Sequence, residues 1–221
     1  MLSLTTLIVE PVSDVTGKSV VSSQKEGWDK RLFDIFISFC VILFVMSWVS
    51  LIIGLIIKIT SPGPVFFMQL RTGRNGRPFR CFKFRTMTYD PKATFKQATK
   101  NDARITRFGA FLRKTNLDEF PQVINVLLGD MSIVGPRPHP IQLDAQHWDT
   151  MPGYPERYAV KPGITGLAQS RGCRGETSKL IQMQHRVKYD HFYIQKRTFW
   201  MDMKICWWTA AKMVQGDKNA F

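Results

Sequence analysis

Residues 35–57 form an apolar run that contains no charge and is interrupted only by Ser38, Ser47, Ser50 and Gly54. No other feature narrows the fold of this chain as much. At about 1.5 Å rise per residue such a run makes a helix of roughly 34 Å, enough to cross the hydrocarbon core of a bilayer. It carries no amphipathic stripe, so burial of one face against a soluble core does not account for it. Lys30 and Arg31 precede the run, and Lys58, Arg71, Arg74, Arg77 and Arg80 follow it. Bases on both flanks suit a re-entrant segment whose two ends return to one face, and the positive-inside rule makes that face cytoplasmic. Asp34, at the apolar boundary, reads equally as an interfacial cap or as a partner of Arg31.

The run divides the chain into an N-terminal arm at 1–29, a membrane helix at 30–60 and a domain at 61–221. The arm is not built like a secretory signal, because the basic residues and the apolar run come after it. The SPGP turn at 61–64 must stop the helix, since two prolines and a glycine cannot continue it. Two strands are expected at 65–70 and 79–84, joined by the turn-rich TGRNG at 72–76. Residues 88–103 read as a loop with a short helix. Helices are expected at 105–112, at 121–128 ending at Gly129, at 178–190 and at 198–214, with irregular chain from 139 to 162. Trp200, Trp207 and Trp208 give the last helix a face suited to a membrane interface.

A formal net charge of +14 points to polyanionic partners: nucleic acid, anionic headgroups or nucleotide-sugar diphosphates. No nucleic-acid motif is present, and the aromatics are not interleaved with bases in a recognition pattern. Cys40, Cys81, Cys173 and Cys206 form no CxxC pair, so neither a disulfide framework nor a zinc knuckle is expected. His139, His147, His185 and His191 lack metal-ligand spacing and read as ordinary structural residues.

Two adjacent carboxylates, Asp118 and Glu119, lie among Arg104, Arg107, Arg113 and Lys114. A carboxylate can attack phosphorus or hold a metal, while nearby cations neutralise the phosphate charge that would repel it. The same pair also reads as first-turn acids of the helix that follows, with Asn116 and Glu119 arranged like a capping box. GPRP at 135–138 sets Arg137 on a stiff turn, either as a structural corner or aimed at a phosphate or nucleobase. RTGRNG at 71–76 is only a loose likeness of a phosphate-cradling loop and lacks the Walker lysine.

Several words occur in order: KRLFD at 30–34, KITSPGP at 58–64, QLRTG at 69–73, FKFRTM at 82–87, LRKTNLDEFPQ at 112–122, GDMSIVGPRP at 129–138 and KPGITG at 161–166. Together they resemble the bacterial sugar transferases, the monotopic polyprenyl-phosphate phosphoglycosyl transferases that begin exopolysaccharide and glycan assembly. The fold this implies is mixed α/β and helix-rich. A re-entrant membrane helix would carry a small cytosolic catalytic domain with interfacial amphipathic helices on the inner membrane. The resemblance implies transfer of a sugar 1-phosphate from a UDP-sugar to undecaprenyl phosphate, releasing UMP. It casts Asp118 as nucleophile and has Glu119 help hold Mg2+, the metal being assigned to the Asp118–Glu119 pair. Arg137 would contact the nucleotide, and Lys83, Arg85, Arg104 and Arg113 are further candidates for phosphate contacts. Membrane lipid is an implied partner, nucleic acid is not, and a homodimer is compatible with the family.

Members of the family usually break the apolar helix with a Ser-Pro pair. Here that place holds Ser47-Trp48, and the strongest cause of a bend is missing. Ser47 and Ser50 could still bend the helix through backbone bonding, and re-entry remains the expectation. GCRGET at 172–177, RVKYD at 186–190 and KNAF at 218–221 are closer to the glucose-1-phosphate branch, with galactose next. The chain resembles the minimal catalytic unit of the family. A membrane-tethered basic binding module, or a scaffold without catalysis, is the alternative.

Overall fold

The computed structural model describes residues 27–99, 102–173 and 180–215. Most of the expected N-terminal arm, the greater part of the 172–177 block and the 218–221 ending lie outside them. The apolar run is realised as one helical rod from Trp28 to Thr60. It comprises α1 (Trp28–Val41), a π-helical turn (Ile42–Met46) and α2 (Ser47–Thr60). The π turn falls immediately before Ser47-Trp48. Side chains add donors to its carbonyls: Ser47 Oγ donates to that of Leu43 and Trp48 Nε1 to that of Phe44, both at 2.8 Å. An inserted π turn shifts the helical register without a proline, and side-chain donors to the backbone reinforce it in an apolar medium.

Both ends of this rod are held by the rest of the molecule. Lys30 Nζ reaches Asp202 Oδ2 at 2.6 Å and the Val134 carbonyl at 3.1 Å, while Arg31 donates to the carbonyls of Val126 and Leu127. Those carbonyls close helix α4 (Gln122–Leu128), so Arg31 places a cation at its negative dipole end. Asp34, fully buried, accepts from Ser132 Oγ and the Ile133 N–H. Its burial rules out a simple interfacial cap, and its hydrogen bonds tie this end of the rod to the chain at 132–133. At the other end, Ile53 and Ile57 pack with Phe84 and Leu112. Between these anchors Phe39, Phe44, Trp48 and Leu51 are more than half exposed.

After the SPGP stop, β1 (Phe66–Thr72) and β2 (Pro78–Phe84) form an antiparallel hairpin with Phe66 opposite Phe84 and Thr72 opposite Pro78. Asn75 takes a left-handed conformation (φ 56°) in the turn, as asparagine can. No helix forms among the described residues of the 88–103 segment, which runs as loop to a bridge between Met87 and Ile105. Helix α3 (Arg107–Thr115) starts two residues later than expected, where Thr106 Oγ1 accepts from the Gly109 N–H. A Cβ on Gly109 would lie 2.0 Å from the Thr86 carbonyl oxygen, so only glycine lets α3 sit this close to the chain leaving β2.

Helix α4 ends as expected at Gly129, in the left-handed conformation at φ 92°. Two short strands follow that had not been anticipated, β3 (Ser132–Val134) and β4 (Gly163–Thr165), paired in parallel. The 139–162 stretch between them is not irregular throughout, since it contains α5 (Ile141–His147) and a 3-10 turn (Pro155–Ala159). Parallel pairing requires such a long return connection. The short α6 (Leu167–Ser170) leads to α7 (Leu180–Lys196) and α8 (Phe199–Gln215). Ile205 of α8 is buried against Val134 and Tyr193, while Trp200 and Trp207 stand about three-quarters exposed.

Candidate functional site

Asp118 and Glu119 lie on a 3-10 turn (Leu117–Glu119) rather than in the first turn of α4, whose N-cap is Pro121. Asn116, at φ 57° and ψ 16°, ends α3 in the left-handed conformation and turns the chain so that the two acids face β2. No capping box forms, because the Glu119 carboxylate is committed elsewhere. Lys83 Nζ donates to Glu119 Oε1 at 2.6 Å, and the Arg137 fork takes both oxygens, NH1 to Oε2 at 2.9 Å and NH2 to Oε1. Burial would raise the Glu119 pKa, but Arg137 and Lys83 outweigh it and hold the carboxyl well below the usual range. The same pairing holds the Arg137 guanidinium firmly charged against the cost of its own burial.

Asp118 is in the opposite condition. It is only 8% exposed, yet among the described residues no donor lies within hydrogen-bond reach of its carboxylate. Burial pushes its pKa up to about 6, with Glu119 adding to the rise and Lys83, Arg113 and Arg137 opposing it. Two adjacent carboxylates are thus driven apart: one clamped and ionised, the other unencumbered and electrically costly.

Of the other candidates, Arg113 donates Nε to Thr86 Oγ1 at 2.9 Å and lies close enough to Asp118 for each to perturb the other's titration. Arg104 is forked onto Asp102, with Nε to Oδ1 at 2.9 Å and NH2 to Oδ2 at 2.6 Å. Arg85 turns away into the helix stop, where its guanidinium donates to Ser61 Oγ and to the Ser61 and Pro62 carbonyls. The structure therefore gathers Asp118, Glu119, Lys83, Arg113 and Arg137, and leaves Arg85 and Arg104 with structural partners.

The Arg137 loop is held by groups that its sequence did not announce. The Pro136 carbonyl accepts from the Gly163 N–H at 2.9 Å, that of Arg137 from Arg157 NH2 at 3.0 Å and that of Pro138 from Arg71 NH1 at 2.6 Å. A Cβ on Gly163 would lie 2.1 Å from the Gly135 nitrogen, which explains why GPRP and PGITG must meet through bare glycine backbone. Arg157 is 1% exposed and its Nε is anchored on Asp190 at 2.8 Å. Nothing in its spacing marks it as a support of the site.

Next to Pro138, the His139 ring is enclosed by Tyr154, Arg157, Arg186 and Asp144. Burial first, and then the Arg157 charge, hold its pKa well below the ordinary 6.5, against the opposing pull of Asp144. A histidine held neutral in the folded chain contributes stability above the unfolded pKa and loses it as pH falls. Below pH 6.5 the fold is expected to lose stability by up to about 1.4 kcal/mol per pH unit through this group. Thermal midpoints of the wild type should therefore drop more steeply between pH 7 and 5.5 than those of His139→Gln, and parallel slopes would count against it.

The family model described as bacterial sugar transferase matches residues 25–216. A UDP-glucose:undecaprenyl-phosphate glucose-1-phosphate transferase of Klebsiella pneumoniae is 50% identical over 186 residues, covering 83% of this chain and 39% of that protein. The protein of the same name from Xanthomonas campestris pv. campestris is 52% identical over 75% of the chain and 34% of its own length. An exopolysaccharide production protein of Rhizobium leguminosarum bv. phaseoli is 45% identical over 86% of the chain and 97% of its own length. The chain thus spans little more than a third of the first two relatives and nearly all of the third.

Proposed function

The chain belongs to the bacterial sugar transferase family, and from that premise we propose that it moves a sugar 1-phosphate, with glucose the favoured sugar, from a UDP-sugar to undecaprenyl phosphate. The observation that carries this reading is the division of labour between the two acids. Asp118 is nearly buried and its carboxylate has no hydrogen-bond donor among the described residues, while Glu119 is locked by Lys83 and Arg137. A structural pair of first-turn acids would have no reason to differ in this way.

In the proposed reaction an Asp118 carboxylate oxygen attacks the phosphorus that carries the sugar. The bond from that phosphorus to the bridging oxygen breaks, and UMP leaves with the electron pair. The sugar phosphate is then held on Asp118 as an acyl phosphate. A phosphate oxygen of undecaprenyl phosphate attacks the same phosphorus, the bond to Asp118 breaks, and a polyprenyl diphosphate sugar is released with the carboxylate restored. Lys83, Arg113 and Arg137 offset the charge that accumulates on the phosphoryl oxygens.

Mg2+ fits this donor set in one respect. Asp118 carries a negative charge that its neighbours do not fully compensate, and Mg2+ is commonly held by one or two carboxylates together with substrate phosphates. Asp118 would be its first ligand, and Glu119 would join only by releasing a cationic partner. The ion would supply charge neutralisation on the diphosphate. Among the described residues no group of three or more His, Cys, Asp and Glu side chains forms a cage for it.

We further propose that the apolar rod re-enters the cytoplasmic face of the inner membrane. In support, Lys30, Arg31 and Asp34 at one end and Ile53 and Ile57 at the other are seated on the same domain. A straight span would carry those ends to opposite sides of the bilayer. Cysteines placed at residues 28 and 59 should both react with a membrane-impermeant maleimide only after the cytoplasmic side is exposed. Labelling from opposite sides would sink re-entry.

The reaction itself is tested by intact-protein mass after incubation with Mg2+ and UDP-glucose, with the lipid acceptor withheld. A hexose-phosphate adduct with stoichiometric UMP is the expected result. No adduct and no UMP across a panel of UDP-sugars would leave a binding module or inactive scaffold in its place.

A further inference from the structure

Between α2 and α3 lies a cleft of about 200 Å³ lined by Trp48, Ile52 and Ile56 on one side and Phe108, Phe111 and Leu117 on the other. Its only polar side-chain atom among these residues, Trp48 Nε1, is spent on the Phe44 carbonyl. Trp48, Ile52 and Phe111 are each more than half exposed, so the cleft opens outward along the apolar rod. Leu117, which also lines it, immediately precedes Asp118. Arg113, on the same helix as Phe108 and Phe111, lies within electrostatic reach of that carboxylate. Among the described residues Nε is the only Arg113 nitrogen with a hydrogen-bond acceptor, Thr86 Oγ1.

We infer that this cleft seats the first isoprene units of the polyprenyl phosphate acceptor and points its phosphate at Asp118; the inference rests on the transferase reading above. The occupant follows from chemistry. A uridine or a sugar needs hydrogen-bond partners, and these walls provide none. The ligand must be a hydrocarbon at one end and an anion at the other, because the cleft is apolar and its lining residue Leu117 adjoins Asp118, on which the charges of Lys83 and Arg113 act. A chain held along the rod also enters from the membrane, which is where such a molecule resides. Trp48 then has a role of its own. It forms part of the wall where the apolar rod faces α3, so an indole shapes this side of the lipid site.

The test uses the full chain in nanodiscs and a polyprenyl phosphate bearing a diazirine on its first isoprene unit. Photolysis is expected to label Trp48, Ile52, Phe108 or Phe111, and excess undecaprenyl phosphate should suppress the labelling about tenfold. A phospholipid with the same reactive group should not label these positions. Phe111→Ala, at a half-exposed position that can be truncated without opening the core, should raise the KM for undecaprenyl phosphate about tenfold while the KM for UDP-glucose stays where it is. Labelling confined to the exposed tryptophans of α8, or equal labelling by the phospholipid, overturns the assignment. So does an unchanged lipid KM accompanied by normal UMP release. A wild-type chain that releases no UMP at all would instead remove the transferase reading, and the lipid site with it.

Discussion

Asp118→Asn should abolish the hexose-phosphate adduct and lower transfer to undecaprenyl phosphate by at least about 10⁴-fold, while the protein folds and reaches the membrane as before. The substitution keeps the shape of the side chain and removes its nucleophilic oxygen, so any loss belongs to chemistry and not to packing. The direction of the stability change separates this from a structural role. The Asp118 carboxyl keeps its proton up to about pH 6, well above the ordinary carboxylate range, chiefly because it is buried. A group whose folded pKa is raised contributes stability below its unfolded pKa and loses it as pH rises through the folded value. At neutral pH the ionised Asp118 therefore works against the fold, and the asparagine variant should melt no lower than the wild type. An acid placed only to support the helix start would show the reverse, with a lower melting point and activity largely kept. Wild-type turnover by Asp118→Asn would remove the nucleophile from the mechanism.

The parts of this architecture that the sequence announces are those whose causes are local. The hairpin is written in its alternation and its glycine turn, and the end of α4 in Gly129. The strands β3 and β4 could not be read, because three residues are too few to show a period and their pairing is fixed some thirty residues apart by glycine-to-glycine contact. The 139–162 stretch looked irregular because its prolines and glycines mask a short helix between them. In the site, the family words located the acid pair but did not say which acid was clamped and which was free. That difference arises from Lys83 and Arg137 arriving from two other elements. The word FKFRT shows the limit well. Lys83 and Arg85 are two residues apart, but β2 ends at Phe84, so Lys83 reaches Glu119 while Arg85 swings into the SPGP turn. The anchor is a similar case. KRLFD looked like a membrane flank, and its three charged side chains proved to be a clamp on α4, β3 and α8.

Arg137→Lys should cost about 100-fold in kcat/KM for the UDP-sugar, equivalent to roughly 2.7 kcal/mol of transition-state stabilisation. The charge survives this substitution, so a role limited to neutralising the pocket would predict little change. What is lost is the planar fork that grips both oxygens of Glu119, a geometry that an ammonium cannot reproduce. With the fork gone, Glu119 keeps only single-point contacts to ammonium groups, and Lys83 is drawn more fully onto Glu119 and away from Asp118 and the incoming phosphates. The loop itself should not move. Its carbonyls at 136, 137 and 138 are held by Gly163, Arg157 and Arg71, none of which involves the Arg137 side chain. The thermal midpoint should consequently stay near that of the wild type while steady-state kinetics with UDP-glucose register the loss. A variant with near-normal kcat/KM would mean that charge alone is required at this position, and the fork would then be a packing detail of the loop.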